Sequence, residues 1–509
     1  MKKGKRFVAG LLAAALCGSL FSGCGTGSSS EKTKTSSESS TPVKVVMACI
    51  SFNNIPNDLT KINNKLNEEL KKYNVEIDWK LYGPADYQTK CNLALESGTQ
   101  LDLFLPLNFP SVVSKKQAMS MDDLIDKYAK ASKDILYKDF GDDAFKSTTM
   151  DGHIYGMPVN KGMSLPPVLI YNDDMLKETG YTKNDIKSLS DLPKIFDKLK
   201  AKNPNVICFA PLNVSPNDTS IMALMKGMNK IDYLTDSTGA GVVVGNSGKV
   251  VDLYETDIFK NAVSQMRDWY QKGYFQKDIA TTTTNATDQF RAGRAFCTLG
   301  GYSGKQVDKL WTTMTGKNCG TVRLSDFYFD TVATQLAWVI SSTSKVPEAA
   351  MKLLNATMTD STVLNTMLYG IEGEDYTKVD ADHVKYPDGQ TSTSVPYTAQ
   401  LCSGVLGSES LQWMLEGTDA ADLKVKIEEN KSTPRSPYFG FTFDQSTVKT
   451  EMSAIQNVYN QYYSGLVCGS VDPTTTIPKF VKALKDAGMD TVIQAKQEQL
   501  DKWVASQKK

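Results

Sequence analysis

Residues 151–180 read DGHIYGMPVNKGMSLPPVLIYNDDMLKETG. Three local patterns succeed one another there. Asp151-Gly152 marks a tight turn, because glycine takes the positive φ that other residues avoid, and Tyr155 and Pro158 follow it. Residues 160–167 are polar and braked by proline, and fit neither a helix nor a half-buried strand. Val168-Leu169-Ile170-Tyr171 is a short β-prone run that stops at Asn172-Asp173-Asp174, residues suited to cap a following helix. A strand, a polar crossing and a new strand-helix unit in succession describe a chain that leaves one lobe and enters a second, with the crossing exposed in the cleft between them.

Upstream, residues 43–50 form a continuous apolar run, as a buried strand requires. Asn57-Asp58 caps a helix whose apolar stripe is Leu59, Ile62, Leu66, Leu70 and Tyr73, spaced by three and four. Val75, Ile77, Trp79 and Leu81 alternate with polar residues as a second strand. A helix from Pro84 to about Glu96, closed by Ser97-Gly98, precedes a third strand over 101–105. This β-α-β-α-β order predicts a parallel sheet with right-handed crossovers, and ligands in such sheets sit beyond the carboxyl ends of the strands. Those ends are 51–54, 82–83 and 106–109.

Downstream, the pattern predicts a strand at 206–210, a helix at 218–230, a strand pair within 239–251 and an amphipathic helix at 259–271. Residues 290–304 (FRAGRAFCTLGGYSG) read as a helix end, a strand and a Gly-rich turn, the turn being a second crossing. Residues 334–341 form an apolar strand and a third crossing. Residues 446–503 are mostly helical, with breaks at 471–473 and 477–478.

Composition narrows the function. Of 509 residues, 41% are hydrophobic and 9% aromatic, enough for more than one core. Lysine plus arginine number 57, as do aspartate plus glutamate. Removing Lys2, Lys3, Lys5 and Arg6 leaves 53 basic residues against 57 acidic ones, a net of −4 for a chain that starts at Cys24. No basic excess invites a nucleic-acid partner. Two histidines, His153 and His383, argue against a histidine-rich metal site. The N-terminus has a positive segment, a short apolar core over 7–16 and then Leu20-Phe21-Ser22-Gly23-Cys24. Small residues before a cysteine resemble a bacterial lipobox in which Cys24 is lipidated, with Phe21 where leucine is usual; an ordinary signal peptide with an incidental cysteine is the plainer alternative. Residues 25–41 contain nothing to bury and read as a tether. Without Cys17 and Cys24 seven of the nine cysteines remain, with no Cys-x-x-Cys pair, which is neither a zinc pattern nor a disulfide framework. One bridge is compatible with the spacing, which does not say which pair.

Five segments, in order, match one family. They are Leu93-Ala94-Leu95-Glu96-Ser97-Gly98 with Asp102, then 151–158, 169–180, 290–296 and 337–354. The chain resembles the extracellular solute-binding proteins of ABC importers, a family that includes maltose- and oligosaccharide-binding lipoproteins. Its tail, with Phe439-Gly440-Phe441, Val448-Lys449-Thr450-Glu451 and Val471-Asp472-Pro473, resembles the C-terminal domain of LipO-type lipoproteins. The resemblance implies an α/β, two-lobed, periplasmic-binding-protein-like (type II) fold whose lobes close on a solute. It divides the chain into a lipoprotein signal peptide (1–23), a tether (24–42), the first part of lobe 1 (43–158), the first part of lobe 2 (159–299), a return to lobe 1 (300–333), the second part of lobe 2 with loops (334–435) and a helical C-terminal domain (436–509). It further implies a monomer that is held on the outer face of the cell membrane through Cys24. This protein would pass an oligosaccharide or glycoside to the transmembrane subunits of a permease, with no cofactor, no metal and no catalytic residue. A peptide or another small solute in the same architecture is the second reading.

Sugars offer hydroxyls, which suit polar side chains, and flat CH faces, which suit aromatic rings. Candidate contacts on loops expected at the cleft are Phe52, Asn53, Asn108, Phe109, Tyr155, Asn160, Tyr302, Trp338, Tyr369 and Glu372. Each has a plainer alternative. Trp338 lies in an apolar strand and suits core packing as well as stacking, and Glu372 between two glycines suits an exposed turn or a hinge as well as a contact. For an enzyme the sequence offers little. Gly301-Tyr302-Ser303-Gly304-Lys305 misses both a nucleophile elbow and a phosphate loop. A glycosidase pair of carboxylates has no spacing rule, so a surface glycoside hydrolase stays as a third reading.

Overall fold

The first strand, β1 (Val43–Ile50), is buried along almost its whole length, whereas β2 (Val75–Tyr82) buries every second residue, so Val75, Ile77, Trp79 and Leu81 face the core. The difference follows position: β1 lies inside the sheet and β2 at its edge. The computed structural model describes residues 41–214, 217–236, 238–331, 336–402 and 404–507. The expected signal peptide, Cys24 and all but the last residues of the expected tether lie outside them.

Between these strands, α1 (Thr60–Leu70) buries Ile62, Leu66 and Leu70, and the Asp58 carboxylate accepts from the Thr60 N–H at 2.8 Å to close its start. After β2, α2 (Tyr87–Ser97) ends at Gly98 with φ 71°. The third strand, β3 (Leu103–Phe104), pairs parallel to β1. Buried Asp102 accepts from the Val46 N–H at 2.8 Å and from the Ser344 hydroxyl at 2.6 Å, so it ties the sheet together. The sheet runs β2, β1, β3, Ala337–Ile340, Met157–Pro158, the last two strands antiparallel to their neighbours.

The turn and the strand-helix junction of the diagnostic stretch fold as expected, but its crossing is not exposed in a cleft: Asn160, Gly162, Met163 and Ser164 are buried, because the side chains of Glu409 and Asn430 cover this segment and satisfy its backbone. Asp151 and Gly152 have φ of 51° and 82° at the tip of a two-strand hairpin. Residues 159–166 cross over. Strand Pro167–Asn172 then opens the second sheet, and the Asn172 side chain caps helix Asp173–Thr179 by accepting from the Met175 N–H at 3.0 Å. The second sheet runs Cys319–Arg323, Pro167–Asn172, Ala295–Gly301, Ile207–Phe209.

Sheet membership corrects the expected return path. Cys319–Arg323 belongs to the second sheet and Ala337–Ile340 to the first, the reverse of the order expected for 300–333 and 334–435. The Gly-rich turn at 302–305 is therefore no crossing. It leads into helix Val307–Thr315, which buries Trp311 against Phe290 at a centroid distance of 5.2 Å, and that contact keeps the chain on the second lobe. The chain crosses back within 324–336, and part of that segment, with Thr334, lies outside the described residues. Pro347–Thr359 and Ser361–Tyr369 then pack in the first-lobe core.

A third crossing, at 433–443, leads to the C-terminal helices Lys449–Val467, Pro473–Asp486 and Met489–Gln507. Their buried residues Val467, Phe480, Leu484 and Leu500 share one core with Leu169, Phe196, Trp269 and Phe296 of the second lobe. The helices thus complete that lobe. The break at Asp472-Pro473 occurs as expected, with the Asp472 side chain accepting from the Thr474 N–H at 2.9 Å. No break occurs at Ile477-Pro478: Pro478 lies inside Pro473–Asp486. It sits in the second turn, where its missing N–H removes a single intrahelical bond, and buried Ile477, Phe480 and Leu484 hold the helix in place. All seven cysteines among the described residues are buried and free.

Candidate functional site

The two lobes meet along two flanks. On one, helix Ala420–Ser432 clasps the first crossing. The buried Asn430 side-chain oxygen accepts from the backbone N–H groups of Met163 (2.7 Å) and Ser164 (3.2 Å), and its amide donates to the Lys161 carbonyl (2.7 Å). The Glu409 carboxylate accepts from the Gly162 N–H at 2.8 Å and pairs with Lys426 at 2.9 Å. Burial pushes the Lys161 ammonium below its ordinary range, with Glu409 opposing and Lys426 adding to the drop. The same helix reaches the second lobe through Glu429, which accepts from the Gly304 N–H (2.9 Å) and pairs with Arg323 (3.0 Å). Proline and short polar residues at 160–167 thus leave a backbone that a helix from elsewhere in the chain can satisfy.

On the other flank is a cleft of about 560 Å³. Its first-lobe side is the strand end 106–108 and the short helix α3 (Phe109–Ser114). Asn108 caps α3 by accepting from the Ser111 N–H at 3.1 Å. Phe109 lines the cleft while packing into the core against Ala337 and Gly156. A Cβ at Gly156 would lie 2.7 Å from the Phe109 ring and 2.9 Å from the Ala337 Cβ, so this motif glycine is required by close packing. Leu107 beside it is 55% exposed.

The second-lobe side is the turn holding Thr235, Asp236 and Thr238, and the side chains of Lys449, Met452, Ser453 and Gln456 complete the wall. Leu234 and Thr235 adopt φ of 50° and 67°, unfavourable for residues with a branched side chain. Dense hydrogen bonding holds them there. Buried Asp232 accepts from the Leu234 N–H (2.8 Å) and the Thr331 hydroxyl (2.9 Å), and that hydroxyl accepts from the Thr235 N–H (2.9 Å). Burial, with Asp330 nearby, pushes the Asp232 carboxyl up to about 6. Asp236 accepts from the Thr238 and Ala240 N–H groups at 2.8 Å each and pairs with the fully buried Lys496 at 3.3 Å. Lys496 also donates to the Tyr233 (3.3 Å) and Gly241 (2.9 Å) carbonyls.

The lining is thus amides, hydroxyls, Lys115, Lys449 and small apolar surfaces, suited to a hydroxyl-bearing ligand. The lining carboxylate Asp236 is saturated by the protein. Among the described residues no group of His, Cys, Asp and Glu is arranged to hold a metal ion, and no helix is long and apolar enough to cross a membrane.

Of the residues expected at the site, Asn108 and Phe109 line this cleft. Phe52 is 52% exposed on the loop after β1, and the Asn53 side chain there accepts from the Leu401 N–H at 2.9 Å. Tyr155 packs beside the Phe109 cluster and Tyr302 against Trp311, 6.3 Å between ring centroids. Glu372 is exposed. Three others are held inside the protein. The Asn160 amide donates to Asp139 (2.8 Å) and Ser408 (2.9 Å). The Trp338 indole donates to the Val405 carbonyl (2.7 Å), and the Tyr369 hydroxyl to the Trp413 carbonyl (2.7 Å). Sequence reasoning missed Thr235, Asp236 and Thr238 and the face of Lys449, Met452, Ser453 and Gln456. The spacing of 449, 452, 453 and 456 marks one helix face, but nothing local says that it meets a cleft.

The chain is similar to known proteins in sequence and in fold. A family model described as bacterial extracellular solute-binding protein matches residues 64–371, and one described as a domain of unknown function (DUF3502) matches 437–505. A carbohydrate ABC transporter substrate-binding protein of Streptococcus pneumoniae serotype 4 is 27% identical over 453 residues, 87% of each chain. The fructooligosaccharide ABC transporter substrate-binding protein FusA of the same organism is 28% identical over 228 residues, 41% of this chain and 40% of that one. Among solved structures, the N-glycan transport solute-binding protein NgtS of Streptococcus pneumoniae superposes with a TM-score of 0.76 at 24% identity, covering 91% of this chain and 100% of that one. NgtS in complex with Man5GlcNAc superposes with a TM-score of 0.69 at the same identity, covering 91% and 99%.

Proposed function

The chain belongs to the bacterial extracellular solute-binding proteins, and from that premise we propose that it captures an oligosaccharide between its two lobes and delivers it to the transmembrane subunits of an ABC importer. It is a binding protein and not an enzyme. The observation that carries the carbohydrate reading is the cleft: two lobes on a clasped flank, opening on a hydroxyl- and amide-lined space of about 560 Å³. Relatives described as carbohydrate and fructooligosaccharide binders support it. Ligand contacts made with both lobes at once favour the closed form, so binding shifts an open-closed equilibrium. The permease reads the closed shape. The run Leu20-Phe21-Ser22-Gly23-Cys24 supports attachment through a lipid on Cys24, with 25–42 as the tether that lets a monomer reach the permease from outside the cell membrane.

A thermal-shift screen of the full chain against mannosyl-N-acetylglucosamine glycans, fructooligosaccharides, monosaccharides and short peptides tests the reading. Ligand at a hundred times its Kd adds about 2.7 kcal/mol to the folded state. A rise in Tm with one glycan series, with the glycan recovered intact, is the expected result. Shifts confined to peptides would replace the carbohydrate reading with a peptide one.

A further inference from the structure

The C-terminal helices complete the second lobe, yet the first of them does more than pack. Helix Lys449–Val467 turns Ile455, Tyr463, Leu466 and Val467 into the lobe core. Its other face, with Lys449, Met452, Ser453 and Gln456, lines the cleft opposite α3. Hydrogen bonds from the last helix tie down the segments behind that face. Gln499 accepts from the Asp444 N–H (2.9 Å) and donates to the Asp444 carbonyl (3.0 Å), and Gln497 accepts from the Val250 N–H (2.7 Å) and donates to the Gly248 carbonyl (3.0 Å). Partial burial pushes the Asp444 carboxyl up, but hydrogen bonds from Ser446 and, across from the first lobe, Ser114, together with the charge of Lys449, hold it below its ordinary range.

In contrast to these segments, the cleft-facing atoms are open. Among the described residues the Ser453 hydroxyl has no hydrogen-bond partner, the Lys449 ammonium has the Asp444 carboxylate nearby but no hydrogen bond to it, and Gln456 donates only to Asn460, at 2.9 Å on the same helix. Free donors and acceptors on a fixed backbone are what discrimination between similar polar ligands requires, because a ligand lacking the matching hydroxyl leaves them unpaired.

We propose that this helix face is the specificity-determining wall of the cleft: Lys449, Ser453 and Gln456 hydrogen-bond the hydroxyls of the bound glycan and Met452 packs against a sugar ring. The C-terminal domain then selects among glycans in addition to completing the lobe. This inference rests on the carbohydrate reading above. Its test is isothermal titration of the full chain with mannosyl-N-acetylglucosamine and fructooligosaccharide series, repeated on the triple variant Lys449→Ala, Ser453→Ala, Gln456→Ala and on Gln456→Glu. Asn457→Ala, exposed at the next position and outside the lining, is the control. The triple variant is expected to lose at least about tenfold in affinity for the preferred glycan, and Gln456→Glu to reorder the series, with Tm unchanged in all. Glycan binding by the wild type that neither variant alters would overturn this inference and leave the carbohydrate reading standing. Failure of the wild type to bind any glycan would overturn both.

Discussion

The flank clasped by helix Ala420–Ser432 and the flank that opens as the cleft join the same two lobes, but their polar groups are treated differently. On the clasped flank Asn430, Glu409 and Glu429 each satisfy groups on the crossing or on the opposite lobe. On the open flank Ser453 stands without a hydrogen-bond partner among the described residues, and Lys449 has only the charge of Asp444 nearby. A buried polar group left unpaired costs about 1–3 kcal/mol, so a joint that must persist through opening and closing pairs its groups internally. A surface that must exchange water for a ligand keeps its groups free. The turn at 233–241 lies between these cases, facing the cleft but pinned from behind by Lys496 and Asp232.

Changes to the pinned groups test that contrast most strongly. Lys496→Ala leaves Asp236 buried without its cation, and urea unfolding should show a loss of about 3–5 kcal/mol. A loss within experimental error would mean that the cleft turn does not depend on the helix behind it. On the clasped flank, Asn430→Ala strands the Met163 and Ser164 N–H groups and should lower stability by about 2 kcal/mol in the same assay. A neutral result there would erase the distinction between the flanks.

The smallest expected effect is a pH dependence. With a folded pKa of about 6, above the ordinary 3.8, Asp232 keeps its proton longer in the folded state than in the unfolded one. Its contribution is therefore full at about pH 4 and is lost as pH rises through about 6. Stability of the wild type relative to Asp232→Asn should fall by at least about 1 kcal/mol, roughly one pKa unit, between those values. Parallel pH profiles for the two proteins would remove Asp232 as the source.

Residues whose structure is decided by near neighbours could be read directly. The Asp151-Gly152 hairpin tip, the Asn172 and Asp472 caps and the alternation of β2 depend on contacts within a few positions. All stand where turn chemistry and periodicity put them. Asn108 and Phe109 line the candidate cleft because they follow a strand end in a parallel sheet, a place that local sequence does indicate. Trp338, Tyr369 and Asn160 show the limit of such reading: an aromatic or amide near a crossing satisfies a distant backbone carbonyl or side chain as readily as a ligand.

Alone, the sequence determined the two-lobed α/β plan, the solute-binding family and the helical tail, because these rest on local propensity, caps and ordered motifs. Only the tertiary structure decided that the Gly-rich turn stays on the second lobe, that the chain returns within 324–336 and that the tail shares the second lobe's core. It also placed Thr235, Asp236 and Thr238, with Lys449, Met452, Ser453 and Gln456, across the cleft from α3. These facts depend on pairing between segments more than a hundred residues apart, such as Lys496 with Asp236, and local sequence carries no record of such a partner.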